Sequence, residues 1–124
     1  MRCRRGDIYY VDFEPVQGSE QGGHRPALVV QNDISNETSP VVIVAAITSK
    51  TASRDRPTNV QVSPEESGLS LHSTVLLNQI RTVDKGRLGR FVGRLSDERM
   101  AEVDEALLIS LGIEFLGNID RDEE

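Results

Sequence analysis

The sequence predicts a mainly β fold, a small antiparallel β-barrel or two small packed sheets, with one C-terminal α-helix laid across it. Three features lead there. Five or six short segments alternate polar and apolar residues, or run continuously β-branched, as strands do. The connections between them are rich in Gly, Pro, Ser and charged residues. Near the C-terminus, Met100, Val103, Leu107 and Leu111 recur at helical spacing instead.

Residues 7–13 (DIYYVDF) mix β-branched, aromatic and acidic side chains in near alternation, as a half-buried strand does, after a basic start at Arg2, Arg4 and Arg5. Residues 14–24 (EPVQGSEQGGH) carry three glycines and a proline without apolar periodicity. They predict a long mobile loop rather than a tight hairpin. A second strand runs from Arg25 to Gln31, because Pro26 keeps Arg25 extended and fits only a strand start or edge. Asp33 to Pro40 is a polar turn with room for one helical turn. Val41 to Thr48 (VVIVAAIT) is continuously apolar until its last residue, as expected of a strand covered on both faces.

Ser49 to Pro57 is a second polar loop, with Lys50, Arg54 and Arg56, and leads to a short alternating strand, Thr58 to Val62. Ser63 to His72 reads as another connection. Ser73 to Val83 is a strand, Asp84 caps a single helical turn, and Arg90 to Leu95 is the last strand. Ser96 then suits the N-cap of a helix over 97–111, with Asp97 and Glu98 at the positive end of its dipole and Gly112 as its stop. Glu98, Glu102 and Glu105 lie on its outer face, and an acidic disordered tail follows from about 119 to 124.

At 124 residues the chain is expected to form a single domain, 1–124, able to bury a core without disulfides or metal. Its apolar runs fall far short of the roughly 20 residues that span a bilayer, and no apolar signal segment opens the chain, so a soluble cytoplasmic protein is expected. One cysteine, Cys3, and two histidines, His24 and His72, leave no internal disulfide, no cysteine cluster and no site of several imidazoles within one chain. No metal or other cofactor is expected. The formal charge of −6 argues against a polyanion binder, but it is unevenly placed. Residues 1–94 hold 12 basic and 10 acidic side chains (+2), and residues 95–124 hold 2 and 10 (−8).

The loop ending in GGHRP could offer backbone N–H groups and the Arg25 fork to a phosphate, although it has neither Walker spacing nor a dinucleotide fingerprint. Thr48 ends its strand beside Ser49 and Lys50, where side chains face the loops. If the two strands are neighbours, Thr48 and Arg25 share a rim.

Four segments together resemble the MazF/PemK family of toxin endoribonucleases, in order and over almost the whole chain: GSEQGGHRPALVVQND (18–33), VIVAAITSK (42–50), LLNQIRTVDKGRL (76–88) and VDEALLISLGI (103–113). The resemblance implies a compact SH3-like, MazF-type barrel and a homodimer. It implies metal-independent, ribosome-independent cleavage of single-stranded RNA at short sequence motifs, no cleavage of DNA, and a cognate MazE-like antitoxin. The family's two catalytic positions match Arg25 and Thr48. Substrate contacts would come from Ser19, Glu20 and Gln21 in the first loop, with Asn32, Lys50, Thr58, Gln79 and Arg81 around the rim.

A guanidinium stays protonated at working pH and makes a poor base, so Arg25 suits charge stabilisation, with Thr48 bonding a phosphoryl oxygen. The general base is left unassigned. Where the family commonly has an apolar residue before the arginine, this chain has His24, which could help as acid or base; strand alternation instead turns it away from Arg25, into solvent. Two other functions fit the same fold: a non-enzymatic gyrase poison, and a catalytically silent antitoxin-binding module.

Overall fold

The computed structural model describes residues 2–14, 23–50 and 55–114. Six strands, β1 (Asp7–Asp12), β2 (His24–Val29), β3 (Val41–Thr48), β4 (Asn59–Val62), β5 (Ser73–Asp84) and β6 (Leu88–Arg94), form one sheet in the order β4-β5-β3-β2-β1-β6. Every neighbouring pair is antiparallel. The helices are α1 (Asp33–Thr38), α2 (Pro64–Ser67) and α3 (Asp97–Leu111), and a 3₁₀ turn at Lys85–Arg87 joins β5 to β6. The mainly β fold with a C-terminal helix is therefore as expected.

Strand pleating turns successive residues to opposite faces, and both faces of this sheet bury apolar cores. One core gathers Ile8, Leu28, Ala45, Ile47, Val60, Val62, Val75 and Leu77 under Met100, Val103 and Ala106 of α3. The other gathers Cys3, Tyr9, Val11, Phe13, Ala27, Val29, Val42, Val44 and Val83. The double burial explains why β3 reads as an unbroken apolar run. Cys3 is a buried free thiol whose pKa is raised by desolvation. The inward stripe of α3 differs from the expected one: Ala106 is buried, whereas Leu111 is exposed, because the last turn reaches past the apolar surface the helix started on.

Strand β5 is bent. Its register with β3 pairs Ala45 with Ile80 but Ala46 with Leu76, so Leu77, Asn78 and Gln79 are extra residues on the β5 side. The first half of β5 pairs with both β4 and β3 and the second half with β3 alone, and at the irregularity between them the Leu77 N–H turns to the Thr58 carbonyl at 2.9 Å.

The hydrogen-bonded ladder does not close into a barrel, since β4 and β6 are its two edges. The short helix α2, within a stretch the sequence reads as plain connection, covers the gap. Ser63 caps it through a capping box: its hydroxyl accepts the Glu66 N–H at 3.3 Å, and the Glu66 carboxylate accepts the Ser63 N–H at 2.8 Å. Gly68 ends the helix at φ +83°, and backbone meets backbone there. A Cβ on Gly93 of β6 would lie 2.3 Å from the Ser67 carbonyl oxygen, and one on Gly68 2.5 Å from the Val92 carbonyl oxygen. Only glycine permits this approach. Glu66 also binds Arg99 of α3 at 2.8 Å, so α2 ties β6 to the helix.

Gly93→Ala should destabilise the protein by about 3 kcal/mol, since the clash is with backbone that cannot rotate away; urea unfolding measures it. Burial pushes the Glu66 carboxyl up, but the Ser63 N–H and the Arg99 guanidinium outweigh this and leave its pKa lowered. A carboxyl lowered on folding stabilises fully above its unfolded value, about 4.3, and loses that stabilisation as pH falls through the folded value. Glu66→Gln should thus be less stable than wild type by about 1 kcal/mol at pH 7, and the gap should narrow below about pH 4.

Candidate functional site

The β2–β3 ladder pairs Ala27 with Ala46, and the same register carried two residues further sets Arg25 across from Thr48. Thr48 pairs with Thr74 of β5, and Thr74 with Gln61 of β4. Paired residues on antiparallel strands share a face, so Arg25, Thr48, Thr74 and Gln61 form one row across four strands. The row lies on the face of the second core, because Arg25 is also paired with Val11. Along that face, apolar side chains give way to polar ones where β2 begins and β3 ends.

Thr48 is buried, and its Oγ1 accepts the Lys50 N–H at 3.1 Å. This leaves the hydroxyl proton free to be donated. Arg25 is half-buried, and Lys50 stands exposed just past the strand. Arg81, paired with Val44, faces the same side, and its guanidinium lies 5.1 Å from the centre of the buried Phe13 ring. Its Nη1 is shut from solvent and finds no hydrogen-bond partner among the described residues.

The ends of the first loop are clipped together beside this row. The Phe13 N–H donates to the Gly23 carbonyl at 3.0 Å, and the Gly23 N–H donates to the Glu14 carboxylate at 2.6 Å. Arg87 donates to the carbonyls of Asp12, at 3.2 Å, and Glu14. Ser19, Glu20 and Gln21 lie outside the described residues.

Other expected site residues fall in different places. His24 is exposed and lies on the opposite face of β2 from Arg25. Thr58 precedes β4 and accepts from Leu77 through its carbonyl, and Gln79 is half-buried in the β5 irregularity. Asn32 is beyond the far end of β2, where its side chain caps α1 by accepting the Ser35 N–H at 2.8 Å; the chain does not bring it to Arg25. A cleft of about 310 Å³, lined by Arg2, Cys3, Arg4, Asp33 and Glu37, lies at that same far end. There the Asp33 carboxyl is held below its usual range, chiefly by the Arg5 N–H. Sequence reasoning passed over Gln61, Thr74 and His72. The alternation of NVQV places Gln61 on a polar face, but only strand pairing shows that this is the face of Thr48.

Arg25 and Thr48 lie on one face at the same end of the sheet, with Arg81 on that face and Lys50 just past the strand, so this small β-protein carries a polar, basic surface there. The chain belongs to the PemK-like, MazF-like toxin family of type II toxin–antitoxin systems, whose profile matches residues 4–111. It is 51% identical over 113 residues to Endoribonuclease EndoA of Bacillus subtilis (strain 168), covering 91% of this chain and 97% of that protein. Among solved structures it superposes on MazF from Deinococcus radiodurans with a TM-score of 0.76 at 26% identity, covering 91% of this chain and 99% of the other. It also superposes on a mycobacterial endoribonuclease in complex with its cognate antitoxin, with a TM-score of 0.75 at 27% identity, covering 91% and 98%.

Thr48→Val keeps the shape of the buried side chain but deprives the Lys50 N–H of its acceptor. It should lower stability by only about 1 kcal/mol in urea unfolding, leaving a folded protein in which the loss of the hydroxyl can be read separately.

Proposed function

We propose that the protein is the endoribonuclease toxin of a toxin–antitoxin pair, that it cleaves single-stranded RNA at short sequence motifs without metal, and that Arg25 and Thr48 carry the reaction. The observation that supports this most directly is the shared row of Arg25 and Thr48 at one end of the sheet. Cross-strand neighbours are about 5 Å apart at the backbone, a spacing at which both side chains can reach one phosphate.

In the reaction, the ribose 2′-oxygen bonds to the adjacent phosphorus, the bond from phosphorus to the 5′-oxygen breaks, and the 2′-hydroxyl proton leaves to a base. The leaving 5′-oxygen takes up a proton. The products are a 2′,3′-cyclic phosphate, which can open to a 3′-phosphate, and a 5′-hydroxyl. Arg25 bears the extra negative charge of the phosphorane and can deliver a proton to the leaving oxygen. Thr48, already accepting from the Lys50 N–H, donates its own proton to a phosphoryl oxygen. Lys50, Arg81, Thr58 and Gln79, with Ser19, Glu20 and Gln21 of the first loop, are the proposed RNA contacts; Asn32, capping α1 at the far end of β2, is given none. Arg81 fits best, with its guanidinium over Phe13 and an unfilled donor. His24, on the opposite face from Arg25, is given no part in proton transfer. DNA lacks the nucleophile and should stay intact.

The proposed assembly is a homodimer in the cytoplasm, held in check by a MazE-like antitoxin. The mycobacterial relative in complex with its antitoxin supports that partner. Among the described residues no helix is long and apolar enough to cross a membrane.

Incubating the purified protein with single-stranded RNA and EDTA should give mapped 5′-hydroxyl ends at recurring short motifs, and none on DNA of the same sequence. Arg25→Ala should cut the rate by roughly 100- to 1,000-fold. Undiminished cleavage in Arg25→Ala, or no cleavage by wild type, would sink the assignment and favour the gyrase-poison or silent-module alternatives.

A further inference from the structure

The polar row does not stop at Thr48. Thr74 stands beside Thr48, and Gln61 beside Thr74, all on one face. Strands lie about 4.8 Å apart, so the Gln61 backbone is about 10 Å from that of Thr48. That is within reach of a nucleotide next to a phosphate held at Thr48.

The Gln61 amide is fixed by one end. Its Oε1 accepts from the Thr74 hydroxyl at 3.0 Å and lies 2.9 Å from His72 Nε2. A carbonyl oxygen has two lone pairs, and these contacts occupy both when His72 donates. Turning the amide around would set its N–H₂ against a donating imidazole. What the amide still has to offer is Nε2, with two donors, shut from solvent and without an acceptor among the described residues. A buried donor left unmade is costly, and an acceptor brought by a ligand relieves it.

We propose that Gln61 is a specificity-determining residue of the RNA site, donating to the exocyclic keto oxygen of a nucleotide flanking the scissile phosphate once the bound strand opens the buried nitrogen to it, with Thr74 and His72, its ring proton on Nε2, as positioning residues that hold the oxygen end. The proposal rests on the endoribonuclease reading above. Uracil O4 and guanine O6 accept at that position, whereas the amino groups of cytosine and adenine donate. Unstacked bases of a single strand expose these edges to side chains. The site therefore favours uracil or guanine at that one nucleotide.

Cleavage of a randomised single-stranded RNA pool, with 5′ ends mapped, reads this preference position by position. Wild type should prefer U or G over C or A by roughly fivefold at one flanking nucleotide. Gln61→Glu presents an acceptor in place of the donor and should turn the preference at that position towards C or A. His72→Ala frees the oxygen end and should bring the ratio there towards one, a change that a merely structural role for this exposed residue would not confine to one base. Identical base profiles in wild type and both variants overturn the proposal, and the exposed His72 decides alone if Gln61→Glu does not fold. A wild type that cleaves no RNA overturns the endoribonuclease reading instead. The recognition step is then read by the binding of Arg25→Ala protein to short RNAs differing only in U against C: a U preference that Gln61→Glu reverses supports the proposal, and none at any position overturns it.

Discussion

The structure depends on the burial of β3 from both sides. A strand with solvent on one face can slip by a residue only by turning its apolar set outward, whereas β3 is apolar on both faces, with Val42 and Val44 in one core and Ala45 and Ile47 in the other. Its apolar pattern alone would not oppose such a slip, so its register is held by the ladders with β2 and β5 and by the fit of side-chain sizes on each face. Because β2 and β5 flank it, whatever fixes β3 also fixes which residues of its neighbours stand beside Thr48. The row from Arg25 to Gln61 follows from that placement. No side chain in it has to be positioned by its own contacts alone.

An open sheet has to deal with two free edges. Here the ladder stops at β4 and β6, and α2 bridges the space by a backbone approach that admits no Cβ at Gly68 or Gly93. The two halves of the bent β5 contribute differently to this arrangement. Its first half, paired with β4 and β3, carries Thr74 into the polar row, and its second half, on β3 alone, carries Arg81 over the Phe13 ring. The irregularity at Leu77–Gln79 lets one strand serve both ends of the same face.

Some of this was legible in the sequence because local rules decide it. The run VVIVAAIT reads as a strand covered on both faces, and Ser96, Asp97 and Gly112 mark both ends of α3. Pro26 placed Arg25 at the start of its strand, and the family resemblance supplied the pairing of Arg25 with Thr48 in function. Four-residue α2 was missed, since so short a helix shows no periodicity, although Ser63, Pro64 and Glu66 spell its capping box. The slip in β5 has no local signature, because it is imposed by two partners that want different registers. Gln61 and His72 are 11 residues apart, and only strand pairing brings them together. Asn32, expected at the rim, is where the chain caps α1.

The acidity of α3 lies where it interferes least with a polyanion on the other face of the sheet. Helix α3 packs on the first core, so it lies across the sheet from Arg25, Thr48 and Arg81, which face the second. Helix and sheet are about 10 Å apart between mid-planes, and the helix adds about 5 Å of radius with its side chains. The exposed carboxylates of Glu98, Glu102 and Glu105 therefore stand about 15 Å or more from the polar row. At physiological ionic strength the screening length is about 8 Å, so their repulsion of a bound phosphate has decayed over about two such lengths. Part of that charge is also neutralised locally, by Arg99 at Glu102 and by Arg5 at Asp104. The negative charge of α3 is compatible with the basic patch around Arg25 and Arg81 because the sheet lies between them.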